Sequence, residues 1–203
     1  MKGPARWILL ALGVATLAFG SLIWRSVSRA KSADEPLGTV PDFSLAATTA
    51  DGDRPLSRAD LAGRFWIANF IFTRCSGPCP IMTGKLSMLQ SVLPPDVLFV
   101  SFSVDPDRDD LDSLRHYARQ FDADPKRWRF ARAEKGDLYR IAYEGFRLPM
   151  VEDPAAPSGY RVTHSTKFVL VDGEGRIRGY FDSDAADVGE RINAALGRLR
   201  RSL

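Results

Sequence analysis

The chain has 203 residues, 45% of them hydrophobic and 26% charged, a composition that fits one well-buried globular domain with an appendage. Its formal charge of +3 is unevenly spread: five Lys/Arg and no acid fall within residues 1–33, leaving 23 basic against 25 acidic residues, about −2, for the rest. That distribution excludes the basic footprint of a nucleic-acid binder and assigns the excess charge to the N-terminus.

The N-terminal stretch explains this placement. Trp7 to Trp24 runs 18 residues without a charge, between Lys2/Arg6 and Arg25/Arg29/Lys31. As a helix it would span roughly 27 Å, close to the ~30 Å hydrocarbon core, with a Trp for each interface. It is read as a membrane anchor over residues 1–24, the alternative being a cleaved signal segment with small residues at Ser28-Arg29-Ala30. Residues 25–40, with Pro36 and Gly38 and no apolar period, read as a tether, and residues 41–203 as the folded domain.

Within the domain, residues 42–64 predict a hairpin turning at Asp51-Gly52, then a helical turn near Ser57 to Leu61. The run FWIANFIF, 65–72, predicts a strand buried on both faces. A helix opening at Cys79-Pro80 follows, with Ile81, Leu86, Leu89 and Leu93 on its apolar face. Val97 to Val104 predicts a second buried strand, ending in Asp105-Pro106-Asp107-Arg108-Asp109-Asp110, an acidic entry to a helix lined by Leu111, Leu114, Ala118 and Phe121. Arg127 to Arg132 reads as a strand and Gly136 to Phe146 as a helix. Residues 147–163, with three prolines, read as a long loop of the kind that often carries function. STKFVLVD and RIRGYF then predict a hairpin across Gly173-Glu174-Gly175. A final helix is striped by Val188, Ile192, Leu196, Leu199 and Leu203. The fold class is α/β, a thioredoxin-like central sheet flanked by helices, with an N-terminal transmembrane helix.

Cys75 and Cys79, the chain's two cysteines, fall between the first buried strand and the helix. Free N–H groups at the helix start favour thiolate there, so both sulfurs are expected to be nucleophilic and metal-binding. A structural staple is a poor explanation, because so small a ring constrains the unfolded chain little. Of the two histidines, His116 falls on the polar side of its helix, whereas His164 stands where the long loop meets a strand. Two soft sulfurs and one imidazole suit three-coordinate Cu(I), while structural zinc would want a fourth ligand. Met82 and Met150 read as core residues before ligands.

Phe72-Thr73-Arg74-Cys75, Cys79-Pro80, the stretch Ser103 to Asp109, and His164-Ser165 before VLVDGEG together resemble the Sco/SenC family over about residues 40 to 200. The resemblance implies a membrane-anchored, thioredoxin-like metallochaperone that binds copper, as Cu(I) with Cu(II) as the alternative, through Cys75, Cys79 and His164. It implies a role in assembling the binuclear copper centre of cytochrome c oxidase. Asp105 resembles the family's acidic residue near the metal, placed to orient a ligand. Ser76-Gly77-Pro78 departs from the family's more usual Pro-Asp-x insert. The implied partners are a copper-receiving oxidase subunit or another thiol or copper protein, and the membrane; the implied location is the inner membrane, single-pass, with the domain in the periplasm or its equivalent. The competing readings are a tethered thiol-disulfide oxidoreductase using Cys75 and Cys79 as a redox dithiol without copper, a redox or copper sensor, and, more remotely, a peroxidase.

Overall fold

The computed structural model describes residues 19–21, 35–153, 155 and 162–202, with backbone alone at 152 and 162–164. The chain divides into two compact units, residues 1–35 and 36–203. In the first unit residues 19–21 are helical, and the rest of the expected anchor 1–24 lies outside the described residues. Among the described residues no helix is long and apolar enough to cross a membrane.

Among the described residues of the second unit, eight strands form one mixed sheet. The strands β1 (Gly38–Thr39), β2 (Ser44–Thr48), β3 (Leu56–Ser57), β4 (Trp66–Ile71), β5 (Leu98–Ser103), β6 (Trp128–Arg132), β9 (Lys167–Val171) and β10 (Arg176–Asp182) lie in the order β1-β10-β9-β4-β5-β6-β2-β3. A separate antiparallel ribbon pairs β7 (Met150–Glu152) with β8 (Val162–His164). The helices are α1 (Pro78–Val92), α2 (Leu111–Gln120), α3 (Lys135–Tyr139), which runs on into a π turn over Arg140–Gly145, and α4 (Val188–Ser202).

The core strands β4, β5 and β6 run parallel, as expected when helices connect them. All six residues of β4 and all six of β5 are buried, so each strand reads as an unbroken run with no solvent face. On one face Trp66, Phe70 and Phe102 pack around Phe146, with centroids 6.0, 5.4 and 5.8 Å away. The other face carries Trp128 and Phe130, and there Tyr117 of α2 sits 6.3 Å from Phe130. The Trp128 indole N–H donates to Ser101 Oγ at 2.9 Å, and Ser101 donates to Asn69 Oδ1 at 2.7 Å, a polar clasp across three core strands. Burying each of these aromatic side chains is worth about 1.5–3 kcal/mol, so this sheet is the rigid frame for its connecting loops.

Four expectations need correction. Residues 36–40 are not all tether, because β1 pairs with β10 and Val40 is buried against the core. Residues 147–163 are not wholly loop, because their two ends zip into the β7–β8 ribbon. The first helix begins at Pro78, before Cys79, and its buried residues are Cys79, Met82, Thr83, Leu86 and Leu89, while Ile81 is 63% exposed. The helix expected over 136–146 is α-helical only to Tyr139 and then widens to the π turn. Leu203 lies outside the described residues. The hairpin at Asp51-Gly52 forms, closed by Thr49 N–H to the Gly52 carbonyl at 2.8 Å. The turn at Gly173-Glu174-Gly175 also forms, with Gly175 at φ +78°, a conformation that favours glycine.

Candidate metal centre

Parallel β4 and β5 end side by side, joined by the Val104 N–H donating to the Ile71 carbonyl at 2.8 Å. The loop after β4 carries the cysteines and the loop after β5 carries the acids. Ligand sites of α/β sheets gather at this carboxyl end, where the crossovers leave a crevice.

The cysteine loop is built to present sulfur to a helix start. Cys75 N–H donates to the Phe72 carbonyl at 3.2 Å, turning the chain out of the strand. Gly77 is the N-cap of α1 and supplies no side-chain cap, and Pro78 takes the first helical position, where its missing N–H costs nothing. Cys75 fills the gap. Its sulfur receives a hydrogen bond from the Cys79 thiol and others from the backbone N–H groups of Cys79 and Gly77, which together bring its pKa down to about 6 against the opposing effect of burial.

The partner thiol moves the other way. Cys79 is 0% exposed, and donating to Cys75 together with burial pushes its pKa up. Both cysteines are thiols, and they are hydrogen-bonded to each other. The sequence suggests two equivalent nucleophiles, but the fold makes Cys75 the thiolate and Cys79 the proton holder. Beneath them, Thr83 lies one turn along α1 from Cys79 and contacts the Tyr117 hydroxyl at 3.0 Å. Burial pushes the Tyr117 phenol up and the nearby thiols and Asp109 add to it, so Tyr117 stays neutral.

A carboxylate holds the loop, and it is not the one the sequence singles out. Asp109 is fully buried. Its Oδ1 accepts the Thr73 hydroxyl at 2.6 Å, and its Oδ2 accepts the Thr73 N–H at 3.1 Å and the Ser103 hydroxyl at 2.7 Å. Burial raises its pKa, while the bonds from Ser103 and Thr73 pull in the opposite direction. Asp105 is buried too, but its carboxylate faces Arg108 in an ion pair at 2.5 Å. Asp110 caps α2 through the Ser113 N–H at 2.7 Å. One acidic run thus divides into an ion pair, a loop clamp and a helix cap. A sequence signal for Asp109 exists in the Thr73 hydroxyl, two residues before Cys75, which needs a buried acceptor.

His164 closes β8, and its backbone stands opposite Met150 in the ribbon. Met150 and Asp105 line the same small cavity of about 160 Å³, so the root of the ribbon lies at the end of the sheet that carries the acidic loop. Met150 packs against the core from a half-buried position, and Met82 is buried within it. His116 is exposed on α2. No cluster of three metal-binding side chains occurs among the described residues, whose side chains do not include His164. As donors, two adjacent sulfurs, one of them ionised near pH 6, fit a soft monovalent metal better than a hard cation.

The sequence profile of the SCO1/SenC family matches residues 31–199. The chain is 32% identical over 126 residues to the SCO1 protein homolog of Bacillus subtilis (strain 168), covering 60% of this chain and 64% of that one, so it spans less than two thirds of that relative. A SCO1/SenC family lipoprotein from Bacillus anthracis str. Ames superposes with a TM-score of 0.72 at 30% identity, over 82% of this chain and 98% of that one. BsSco, described as a member of the Sco family of cytochrome c oxidase assembly proteins and as having a disulfide switch, superposes at 0.66 and 27% identity, over 81% and 96%. Arabidopsis thaliana ScoI, solved with copper bound, shares the fold at 0.67 and 21% identity, over 81% and 99%. With the profile running through nearly the whole thioredoxin-like unit, this chain belongs to the SCO1/SenC family.

Proposed function

We propose that the chain is a copper metallochaperone that takes copper as cargo through Cys75, Cys79 and His164 and serves the assembly of the binuclear copper centre of cytochrome c oxidase. The observation that carries this reading is the buried pair of mutually hydrogen-bonded thiols at the start of α1. Supporting it are the ribbon register, which returns the His164 backbone opposite Met150, and the family's copper-bound and oxidase-assembly relatives. Cys75 offers a ready thiolate. Cys79 must give up its proton when metal arrives, so loading releases a proton from the pair. Asp109 and Thr73 hold the loop so that the sulfurs need little rearrangement. The membrane anchor at 7–24 keeps the domain on the extracytoplasmic side in this proposal, with residues 25–35 as tether.

The split pair also supports a second reading, a thiol-disulfide oxidoreductase, in which the Cys75 thiolate attacks a partner disulfide and Cys79 resolves the mixed disulfide. Copper analysis joined to thiol counting on the full chain in detergent tests the first reading. Reduced protein is expected to retain one copper per chain, and mildly oxidised protein, with Cys75 bonded to Cys79, none. Failure of the reduced protein to retain copper would leave the oxidoreductase as the function.

A further inference from the structure

At the opposite end of the core strands from the cysteines, a cavity of about 370 Å³ opens where β4, β5 and β6 begin. Five cationic side chains line it: Arg54 from the β2–β3 turn, Arg64 just before β4, and Lys126, Arg127 and Arg129 around the start of β6. A single carboxylate, Asp60, shares the lining, and it is engaged by the N–H and hydroxyl of Ser57 at 2.7 and 2.6 Å. Several cations elsewhere in the domain are ion-paired, among them Arg115 with Asp53, Arg176 with Asp172 and Arg200 with Asp96. None of the five lining cations takes part in an ion pair among the described residues.

From this arrangement we propose that the cavity is a binding site for a phosphate-bearing anion. Arg127 is part of the frame, because its guanidinium donates to the carbonyls of Val97, Gln90 and Pro94 at 3.1, 2.9 and 2.9 Å. Arg129 spends one donor on the Pro125 carbonyl at 2.9 Å, and Arg64 spends its Nε on the Asp96 carbonyl at 3.2 Å. These guanidinium groups, with Arg54 and Lys126, line one concavity in a domain whose net charge is negative. Burial, and then the neighbouring Arg54, push the Arg129 pKa down, the mark of a cation that gains from an added negative charge. A single carboxylate ligand would neutralise one of the surplus charges. A phosphate carries nearly two and presents several acceptor oxygens to guanidinium forks. The volume holds about twelve waters at ~30 Å³ each, enough for a phosphate and one further small group, such as a second phosphate or a glycerol.

Two sources share this chemistry, a soluble phosphate compound and a lipid headgroup. β4 is six residues long, about 20 Å, so the site is separated from the thiols and the proposal does not depend on copper. The test is isothermal titration of the full chain in zwitterionic detergent with two probes, pyrophosphate and short-chain phosphatidylglycerol, for the parent and for the double variant Arg54→Glu/Lys126→Glu. Both substituted side chains are exposed, so an unaltered melting temperature is expected and serves as the control for folding. The proposal expects saturable binding of at least one probe, weakened ~10-fold or more in the double variant, with Cu(I) affinity unchanged. Tighter binding of pyrophosphate assigns the site to a soluble compound, and tighter binding of phosphatidylglycerol to a headgroup. Absence of saturable binding for both probes, or equal affinity in parent and variant, overturns it.

Discussion

Asp109 and Thr73, 36 residues apart in sequence, are joined by a half-buried double contact in which one carboxylate takes both the N–H and the hydroxyl of the threonine. This ties the loop after β5 to the loop after β4, two residues before Cys75. The expected consequence of Asp109→Asn follows from its donors. Three groups donate to the carboxylate, and an amide would turn an NH₂ toward at least one of them. Leaving such buried groups unsatisfied costs about 1–3 kcal/mol, on the order of 5 °C in melting temperature for a domain of this size. Calorimetry on the variant checks the fall in stability, and Cu(I) competition is expected to show affinity reduced by ~10-fold as the sulfur geometry loosens. Asp105→Asn, which weakens the ion pair with Arg108, is expected to do less on both measures.

The thiols are expected to titrate separately. Cys75 is held near 6 by its hydrogen bonds, so its alkylation by iodoacetamide should rise as pH increases through about 6 and then level off. Cys79, with its pKa raised and no exposure, should react only after Cys75 is blocked or the protein is unfolded. Mass spectrometry of partially alkylated protein distinguishes the two. Equal labelling of both cysteines at pH 7 would contradict the division of roles.

The domain is expected outside the cytoplasm with the N-terminus inside. Reporters active in only one compartment, fused after Leu203, decide this. Activity is expected only for the extracytoplasmic reporter, and a cytoplasmic signal would refute the orientation.

Much of the framework was legible in the sequence because β4 and β5 bury every residue, so their apolar runs have no polar alternation to misread. The register of α1 was harder to read. Leu86, Leu89 and Leu93 face inward as the spacing predicts, but in the first turn the buried positions are Cys79, Met82 and Thr83, and Ile81 points to solvent. Asp109 was hidden for a different reason. Four acids crowd between Asp105 and Asp110, and local chemistry alone does not say which one meets Thr73 across the sheet. The β7–β8 ribbon was missed because three-residue strands hold too few side chains to show a period of two. The cysteine motif and His164 were visible as residues; the polarity within the thiol pair was not, since it depends on the helix start receiving the Cys75 sulfur.

The central claim is a Cys75-Cys79-His164 copper site, and His164→Ala addresses it most directly. Cu(I) competition against a chelator of known affinity, run beside reduction of a model disulfide, compares the parent with His164→Ala, Cys75→Ser and Cys79→Ser. The account predicts that His164→Ala lowers Cu(I) affinity by at least ~10- to 100-fold and leaves disulfide reduction intact, while each Cys→Ser change abolishes both. Parental copper affinity in His164→Ala would contradict the three-ligand site and make the tethered oxidoreductase the better account of this chain.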